Sequence, residues 1–201
     1  MARDAGRVPF VGLTGGLGSG KSEVLRAFRE LGAATLSTDA VVGELLSGED
    51  LRDEIVERLG PEVATDGSLD RSAIAERVFG DEELRKWLEG VLWPRVGERV
   101  MSWRQEVDAA DPAPPAAVVE VPLLFEAGME AGFDHTIAVV AEEDIRAERA
   151  GARGHAAVDA RAQAQLSQDE KAQRADFVVR NEGSLEELRE TLSRLLATIG
   201  T

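Results

Sequence analysis

Cysteine is absent from the sequence, and histidine and aromatic residues are scarce. Without cysteine the chain cannot form a disulfide, carry a thiolate nucleophile, or hold zinc or an iron–sulfur cluster through sulfur. The two histidines, His135 and His155, are too few for a histidine-rich metal site. No apolar run approaches the roughly 20 residues that a membrane-spanning helix needs, and residues 1–10 lack the apolar segment of a secretory signal. We therefore expect a cytoplasmic protein that does not act on membranes.

Basic residues are also few relative to acidic ones. Asp and Glu number 38 and Lys and Arg number 23, which leaves a formal net charge of −15. A surface this acidic repels polyphosphate, so nucleic acid is not an expected partner. Any anionic small molecule that the chain binds must therefore meet a local concentration of positive charge. With 201 residues, of which 43% are hydrophobic, the chain is long enough for one domain with a substantial core.

Short apolar runs alternate with segments of helical periodicity along most of the chain. The runs predict strands at residues 8–13, 33–36, 117–121, 136–140 and 177–179. Residues 50–107 are instead mostly helical in pattern, and Pro94 should kink or split the longest helix there. Ser184 and Glu187 are spaced as a capping box at the start of the last helix. The alternation predicts an α/β fold with a parallel sheet.

The strongest motif follows the first predicted strand directly. Residues 15–22 are GGLGSGKS, which fits the phosphate-loop pattern G-x-x-x-x-G-K-[ST], and a helix is predicted to begin within it. Glycines let the backbone point successive N–H groups at phosphate oxygens. Lys21 supplies a full charge to the outer phosphates, and the Ser22 hydroxyl is a ligand for Mg²⁺. We therefore predict binding of ATP with Mg²⁺. The residues expected to hold the nucleotide are Gly15, Gly16, Leu17, Gly18, Ser19, Gly20, Lys21, Ser22 and Glu23.

The rest of the chain narrows the kind of nucleotide enzyme. The only asparagine, Asn181, precedes Glu182, so the N-K-x-D motif with which GTPases read guanine is absent. A compact phosphate-loop chain with a helical insert after its second strand is typical of small kinases. Asp39 follows that strand, at the edge of the sheet where such folds bind ligands. Its carboxylate can orient or deprotonate a hydroxyl that attacks the γ-phosphate, or it can cap a helix, and the pattern alone leaves both roles open.

Several further segments resemble the dephospho-coenzyme A kinase family, in order over nearly the whole chain. They are VGLTGGLGSGKS at 11–22, LGA at 31–33, TD at 38–39, DGSLDR at 66–71, VPLLFE at 121–126 and RADFVVRNEGS at 174–184. Enzymes of this family transfer the γ-phosphate of ATP to the 3′-hydroxyl of dephospho-CoA, the last step of coenzyme A synthesis. The resemblance implies a three-layer phosphate-loop kinase fold in a single domain over residues 1–201. Its parts are a core at about 8–49 and 116–201, a helical CoA-binding insert at about 50–107 and a lid at about 150–168.

The resemblance also implies roles for individual residues. Asp39 matches the catalytic aspartate of the family, and Arg71 matches an arginine of the insert associated with the CoA substrate. Asn181 matches an asparagine near the adenine of ATP, and Arg149 matches the lid arginine that approaches the phosphates. The segment beside the acceptor site is matched by Pro122, Leu123 and Leu124. The catalytic set is thus Asp39, Lys21 and Arg149. Two departures are Ser37, where the family commonly has aspartate, and Trp93, where it commonly has histidine.

Three arginines at 146, 149 and 153 are spaced to share one helix face. We expect Arg149 to serve phosphoryl transfer, and Arg146 and Arg153 to lie on a solvated face paired with nearby glutamates. The tryptophans of the insert, Trp87, Trp93 and Trp103, are expected to pack in its core, and contact of one of them with adenine or pantetheine is the alternative.

Two alternatives to this function stay open from the sequence. One is a kinase of the same architecture that acts on another small hydroxyl substrate, such as a nucleoside monophosphate or a sugar acid. The other is a nucleotide-sensing module without transfer activity.

Overall fold

Five of the apolar runs form one parallel sheet, as predicted. The computed structural model describes residues 7–151 and 165–200. The strands are β1 (Phe10–Gly15), β2 (Ala34–Ser37), β5 (Ala117–Glu120), β6 (His135–Val140) and β7 (Phe177–Arg180). They lie in the order β2-β5-β1-β6-β7, and every neighbouring pair is parallel. The predicted α/β fold with a parallel sheet is confirmed.

Strand β1 lies in the middle of the sheet, so the residues that follow it emerge from the middle of the edge formed by the carboxyl ends of the strands. All six of its residues are buried, because helices cover both faces of the sheet and parallel neighbours pair with both edges. Leu13 lies opposite Glu120 of β5, and Gly15 lies opposite Val139 of β6. The strands therefore end at a common edge, and the residues after Gly15 emerge from the middle of it.

Eight helices are assigned within the described residues. They are α1 (Lys21–Glu30), α2 (Thr38–Ser47), α3 (Arg52–Leu59), α4 (Arg71–Val78), α5 (Glu82–Asp108), α6 (Glu143–Gly151), α7 (Gln168–Arg174) and α8 (Leu185–Ile199). Two short 3₁₀ turns span Pro61–Val63 and Glu130–Gly132. None of these described helices combines the length and the apolar character needed to cross a membrane.

The core of the sheet unit lies between the strands and the pair α1 and α8. Val24 and Phe28 of α1 and Leu192 of α8 are fully buried in it. Ser184 caps α8 as the sequence predicts: its hydroxyl accepts the N–H of Glu187, and the Glu187 carboxylate accepts the N–H of Ser184. This reciprocal pair satisfies two backbone donors that a helix start leaves open.

The described residues divide into two compact units. One contains the sheet and comprises the residues up to Ser37 and those from Trp103 onward, and the other is residues 38–102. The second unit has its own apolar core, built around Ile55, Leu59 and Ile74. It begins with α2, whereas the predicted insert began near residue 50. The extent of core, insert and lid as parts of one domain stays a prediction.

The second unit differs in detail from the sequence-based expectation. A two-stranded hairpin, β3 (Ala64–Thr65) and β4 (Ser68–Leu69), interrupts the predicted helical run. Helix α5 continues through Pro94 and is not split there. Trp93 is 52% exposed and does not belong to the apolar core that Val91 and Leu92 help to form, so its predicted core packing is wrong.

Candidate active site

The glycine loop joins the buried end of β1 to the first turn of α1. Gly18 and Gly20 have φ angles of 76° and 86°, a left-handed region in which other residues are strained. A Cβ atom would also collide with neighbours at both positions, with the Arg146 backbone at Gly18 and with the Asn181 carboxamide at Gly20. Glycine at these two positions therefore lets other segments lie directly against the loop.

The polar groups of the loop are arranged for an anion. Helix α1 has Gly20 at its N-cap, so no side chain occupies its first backbone donors. The Lys21 ammonium donates to the carbonyl oxygens of Gly15 and Gly16, at 3.0 and 3.1 Å, and so lies folded across the loop. The Ser19 hydroxyl is buried and has no hydrogen-bond partner among the described residues. Ser22 follows Lys21 and is exposed.

Asn181 connects the end of β7 to the loop. Its side-chain amide donates to the Ser19 carbonyl and to the Glu23 carboxylate, each at 3.2 Å. The Arg149 guanidinium donates to the Asn181 carbonyl at 3.1 Å and lies 3.9 Å from the Glu23 carboxylate. The structure thus brings three residues that the sequence singled out separately, Asn181, Glu23 and Arg149, to one side of Gly20.

Arg146 also contacts the loop, which contradicts its predicted solvated position. Its Nε donates to the Leu17 carbonyl at 3.0 Å, and only 21% of its side chain is exposed. The predicted pairing with a nearby glutamate does occur, since the guanidinium donates to Glu143 at 2.7 Å. The shared face of Arg146 and Arg149 was therefore predicted correctly, but spacing on a helix does not show what that face contacts. Arg146 and Arg149 together place two positive charges against the phosphate loop.

A cavity of about 280 Å³ adjoins the loop at Gly16 and Leu17. Arg146 forms part of its wall, and residues 165–169 form another part. These residues follow the central part of the predicted lid, residues 152–164, which lies outside the described residues together with Arg153. The cavity therefore lies between the glycine loop and residues 165–169.

Sequence analysis missed one buried charge in this region, Lys171 of α7. Its side chain is fully buried, and its ammonium contacts the Pro122 carbonyl at 2.7 Å and the Glu126 carboxylate at 3.0 Å. Burial lowers the pKa of the Lys171 amine, while the hydrogen bond and charge of Glu126 oppose that shift. The one feature of the sequence that sets Lys171 apart is composition, because it is one of only three lysines in a chain with 20 arginines.

The predicted acceptor-side segment follows β5. Pro122 and Leu123 are partly exposed, and the Pro122 carbonyl accepts hydrogen bonds from both Lys171 and the Thr14 hydroxyl. Leu124 is fully buried, with its side chain close to the backbone of Gly12. The structure therefore assigns Leu124 to the interior of the sheet unit, while its part in substrate binding stays a prediction.

Asp39 and Arg71 belong to the second unit. Asp39 is the second residue of α2 and is exposed, and Arg71 is the first residue of α4. The Arg71 guanidinium lies against Gly43 of α2, where an added Cβ atom would be 3.1 Å from its Nη1. Gly43 is one helical turn beyond Asp39, so Asp39 and the Arg71 contact share a face of α2. Asp39 and the guanidinium of Arg71, two predicted substrate residues, thus lie along the same face of α2.

A glycine loop of this conformation, at the end of the central strand of a parallel α/β sheet and contacted by a lysine and two arginines, defines a P-loop kinase. Solved structures have the same fold. TT1252 from Thermus thermophilus aligns with a TM-score of 0.79 at 37% identity, over 96% of this chain and 98% of that one. The dephospho-CoA kinase of Campylobacter jejuni aligns with a TM-score of 0.64 at 22% identity, over 95% and 97%.

Sequence comparison narrows this class to one family. The dephospho-CoA kinase family model matches residues 9–187. The dephospho-CoA kinase of Symbiobacterium thermophilum is 41% identical over 185 residues, which are 90% of this chain and 77% of that protein. The chain belongs to the dephospho-CoA kinase family. The family, the function and the enzyme class predicted from the sequence, an ATP-dependent kinase, are confirmed, and the alternative acceptors are not favoured.

Proposed function

We propose that Asp39, Lys21 and Arg149 are the catalytic residues with which this chain transfers the γ-phosphoryl group of ATP to the 3′-hydroxyl of dephospho-CoA. The acceptor oxygen forms a bond to the γ-phosphorus, and the bond from that phosphorus to the bridging oxygen of ADP breaks. The hydroxyl proton passes to the Asp39 carboxylate. The products are coenzyme A and ADP.

The nucleotide half of the proposal rests on the glycine loop. Backbone N–H groups of residues 15–22 receive the phosphate oxygens, and Lys21 turns from the loop carbonyls to the outer phosphates. Charge builds up on the equatorial oxygens during transfer, so positive groups placed beforehand lower the barrier. Arg149 and Arg146 already lie against the loop, and Asn181 lies beside them, where it can contact the nucleotide. The convergence of these cations on the glycine loop is the observation that carries the proposal.

Magnesium fits the oxygen donors that the loop provides. Mg²⁺ keeps several waters and takes one or two protein oxygens together with substrate phosphates. The exposed Ser22 hydroxyl at the start of α1 is such a donor, and we assign it as the protein ligand. Within residues 7–151 and 165–200 no cluster of three acidic or histidine side chains could hold a metal by itself. The bound ion would neutralise phosphate charge in the reaction.

The acceptor half of the proposal rests on the shared face of α2. Asp39 provides the carboxylate for the ribose hydroxyl, and Arg71, held against Gly43, provides a positive charge for the phosphates of dephospho-CoA. In the sheet unit, we assign Pro122 and Leu123 to the acceptor by their match to the family segment, with Leu124 supporting them from the interior.

A coupled assay with ATP, Mg²⁺ and dephospho-CoA tests this assignment. Asp39→Asn should lower kcat by about 100-fold or more, because a positioned base contributes roughly 10²–10⁴-fold. The dissociation constant for ATP should change by less than about twofold. Glu44→Gln is the matched control, since it neutralises another exposed acid of α2. Wild-type kcat in Asp39→Asn, or an equal loss in both variants, would refute the catalytic role.

A panel of acceptors tests the substrate. Dephospho-CoA should be turned over, while nucleoside monophosphates and sugar acids should not. Turnover of one of these instead of dephospho-CoA would overturn the proposed acceptor site. The cytoplasmic location stays a prediction.

A further inference from the structure

Lys171 forms the centre of a buried polar cluster that the reaction described above does not use. The cluster consists of Lys171, Glu126, Thr14 and Pro122, with the backbone N–H of Leu166. The Lys171 ammonium reaches the Pro122 carbonyl at 2.7 Å, the Glu126 carboxylate at 3.0 Å and the Thr14 hydroxyl at 3.4 Å. An ammonium has three donors, so all three of its N–H groups have an acceptor. The side chain is 0% exposed, and water therefore does not substitute for any of them.

Each acceptor belongs to a different part of the proposed site. Thr14 precedes Gly15 in β1 and so stands immediately below the glycine loop. Pro122 begins the acceptor-side segment after β5. The Glu126 oxygen that pairs with Lys171 also accepts the N–H of Leu166 at 2.8 Å, two residues beyond the end of segment 152–164. Lys171 and Glu126 thus join the acceptor-side segment at Pro122 to the backbone at Leu166, while the contact with Thr14, at 3.4 Å, is the longest of the three.

We propose that Lys171 is a positioning residue for phosphoryl transfer, which fixes the acceptor-side segment at Pro122 and, through Glu126, the backbone at Leu166. This inference rests on the proposed function, because it takes the segment beginning at Pro122 as the acceptor side. Lys171 touches neither nucleotide nor acceptor in this role. It acts through the Pro122 carbonyl, whose position sets where the acceptor hydroxyl can stand relative to the γ-phosphate.

The chemistry of the cluster explains why a charged side chain is kept there. A buried ammonium is costly unless every donor is matched, and a lone hydrogen bond to Pro122 would not offset that cost. Glu126 supplies the opposite charge, and its second oxygen is buried without a partner among the described residues. An apolar side chain at position 171 would fill the same space but, among residues 7–151 and 165–200, would leave the Pro122 carbonyl with the Thr14 hydroxyl, at 3.2 Å, as its one remaining side-chain donor.

The test compares Lys171→Met with Arg174→Met. Arg174 lies one turn further along α7 and also pairs with the segment after β5, through Glu130 at 2.5 Å, but at the surface. Lys171→Met should raise KM for dephospho-CoA and lower kcat, with a combined loss in kcat/KM of about 10- to 100-fold, since misplacement by about 1 Å costs up to 100-fold. The dissociation constant for ATP should change by less than about twofold, because the loop N–H groups and Lys21 do not depend on Lys171. Arg174→Met should leave all three constants within about twofold.

A merely structural role makes a different prediction. Loosening of α7 would lower the melting temperature in both variants and leave the kinetic constants of the folded enzyme unchanged, measured well below the transition. That result, or an equal loss of affinity for ATP and dephospho-CoA in Lys171→Met, would overturn the proposal. If the wild-type protein does not turn over dephospho-CoA, or if Asp39→Asn keeps full activity, the proposed function itself is contradicted.

Glu126 provides a second pair of variants if Lys171→Met does not fold. Glu126→Gln keeps an oxygen for both Lys171 and Leu166, whereas Glu126→Ala removes it. We expect Glu126→Ala to reproduce the rise in KM and fall in kcat, and Glu126→Gln to retain kcat/KM within about threefold of wild type. Identical constants in the two variants would overturn the proposal.

Discussion

Substitution of Gly20 by alanine tests how closely Asn181 is packed onto the phosphate loop. Gly20 has a φ of 86°, and its Cβ atom would fall on the Asn181 amide. Gly32, at the end of α1, has nearly the same φ of 89° but no heavy atom within 4 Å of a built Cβ. Gly32→Ala therefore measures the backbone strain alone, and Gly20→Ala measures the same strain together with the collision.

The two costs can be worked out separately. A left-handed conformation costs alanine about 1–2 kcal/mol. Displacing the Asn181 amide also breaks its hydrogen bonds to Ser19 and Glu23, which at about 0.5–1.5 kcal/mol each adds roughly 1–3 kcal/mol. Gly20→Ala should thus lower the free energy of unfolding by about 2–5 kcal/mol, against about 1–2 kcal/mol for Gly32→Ala.

The difference between Gly20→Ala and Gly32→Ala is measured by thermal unfolding and by steady-state kinetics with ATP. For a chain of this size each kcal/mol corresponds to about 2–4 °C in Tm. Gly20→Ala should also raise KM for ATP, whereas Gly32→Ala should not. In an Asn181→Ala background the extra cost of Gly20→Ala should disappear, because the collision partner is gone. Equal Tm and equal KM for ATP in the two glycine variants would refute the reasoning.

Three further predictions follow from single contacts. Ser184→Ala should lower the free energy of unfolding by about 1 kcal/mol, or about 2–4 °C in Tm, because it removes the cap of α8. The Ser184 backbone N–H and, secondly, its hydroxyl donate to the Glu187 carboxyl and lower the pKa of that group, and Ser184→Ala removes only the hydroxyl. The part of the difference between wild type and variant that depends on the hydroxyl is complete above the ordinary pKa of 4.5 and is lost as the pH falls through the lowered value, so denaturant unfolding at several acidic pH values should show a narrower difference that does not close, because the Glu187 N–H still donates to Ser184. Arg146→Met should raise the dissociation constant for ATP, measured in a binding titration, because it removes a positive charge beside Leu17. The control Arg85→Met, which removes an exposed arginine, should leave that constant unchanged. Phe28→Ala should cost about 3–5 kcal/mol in denaturant unfolding, because Phe28 is fully buried in the core beneath α1, and a loss below about 1 kcal/mol would contradict that packing.

The parts of the molecule that the sequence predicted are those set by local patterns. The strands, the glycine loop and the capping box of Ser184 each depend on neighbours a few residues away, so periodicity and spacing suffice to find them. The hairpin of β3 and β4 was missed because strands of two residues have no recognisable alternation.

The contacts that sequence reasoning did not reach join distant positions. Arg146 meets Leu17 across 129 residues, and the Asn181 amide meets Ser19 across 162. Helical spacing predicted that Arg146 and Arg149 share a face, but only the packing of α6 onto the loop decides that this face is not solvated. Lys171 was missed for a related reason, since a buried lysine has the same local pattern as an exposed one until its acceptors are known.

The order of strands in the sheet determines when the nucleotide site can exist during synthesis. The residues GGLGSGKS leave the ribosome before both strands that flank β1, because β1 pairs on one side with a strand that begins at Ala117 and on the other with one that ends at Val140. Asn181, which rests on the loop, emerges later still. A nascent chain stalled before Asn181 would carry the entire phosphate-binding motif without the side chain that rests on it. If Asn181 contributes to nucleotide binding as proposed above, ATP should stabilise such a chain less than it stabilises the completed fold.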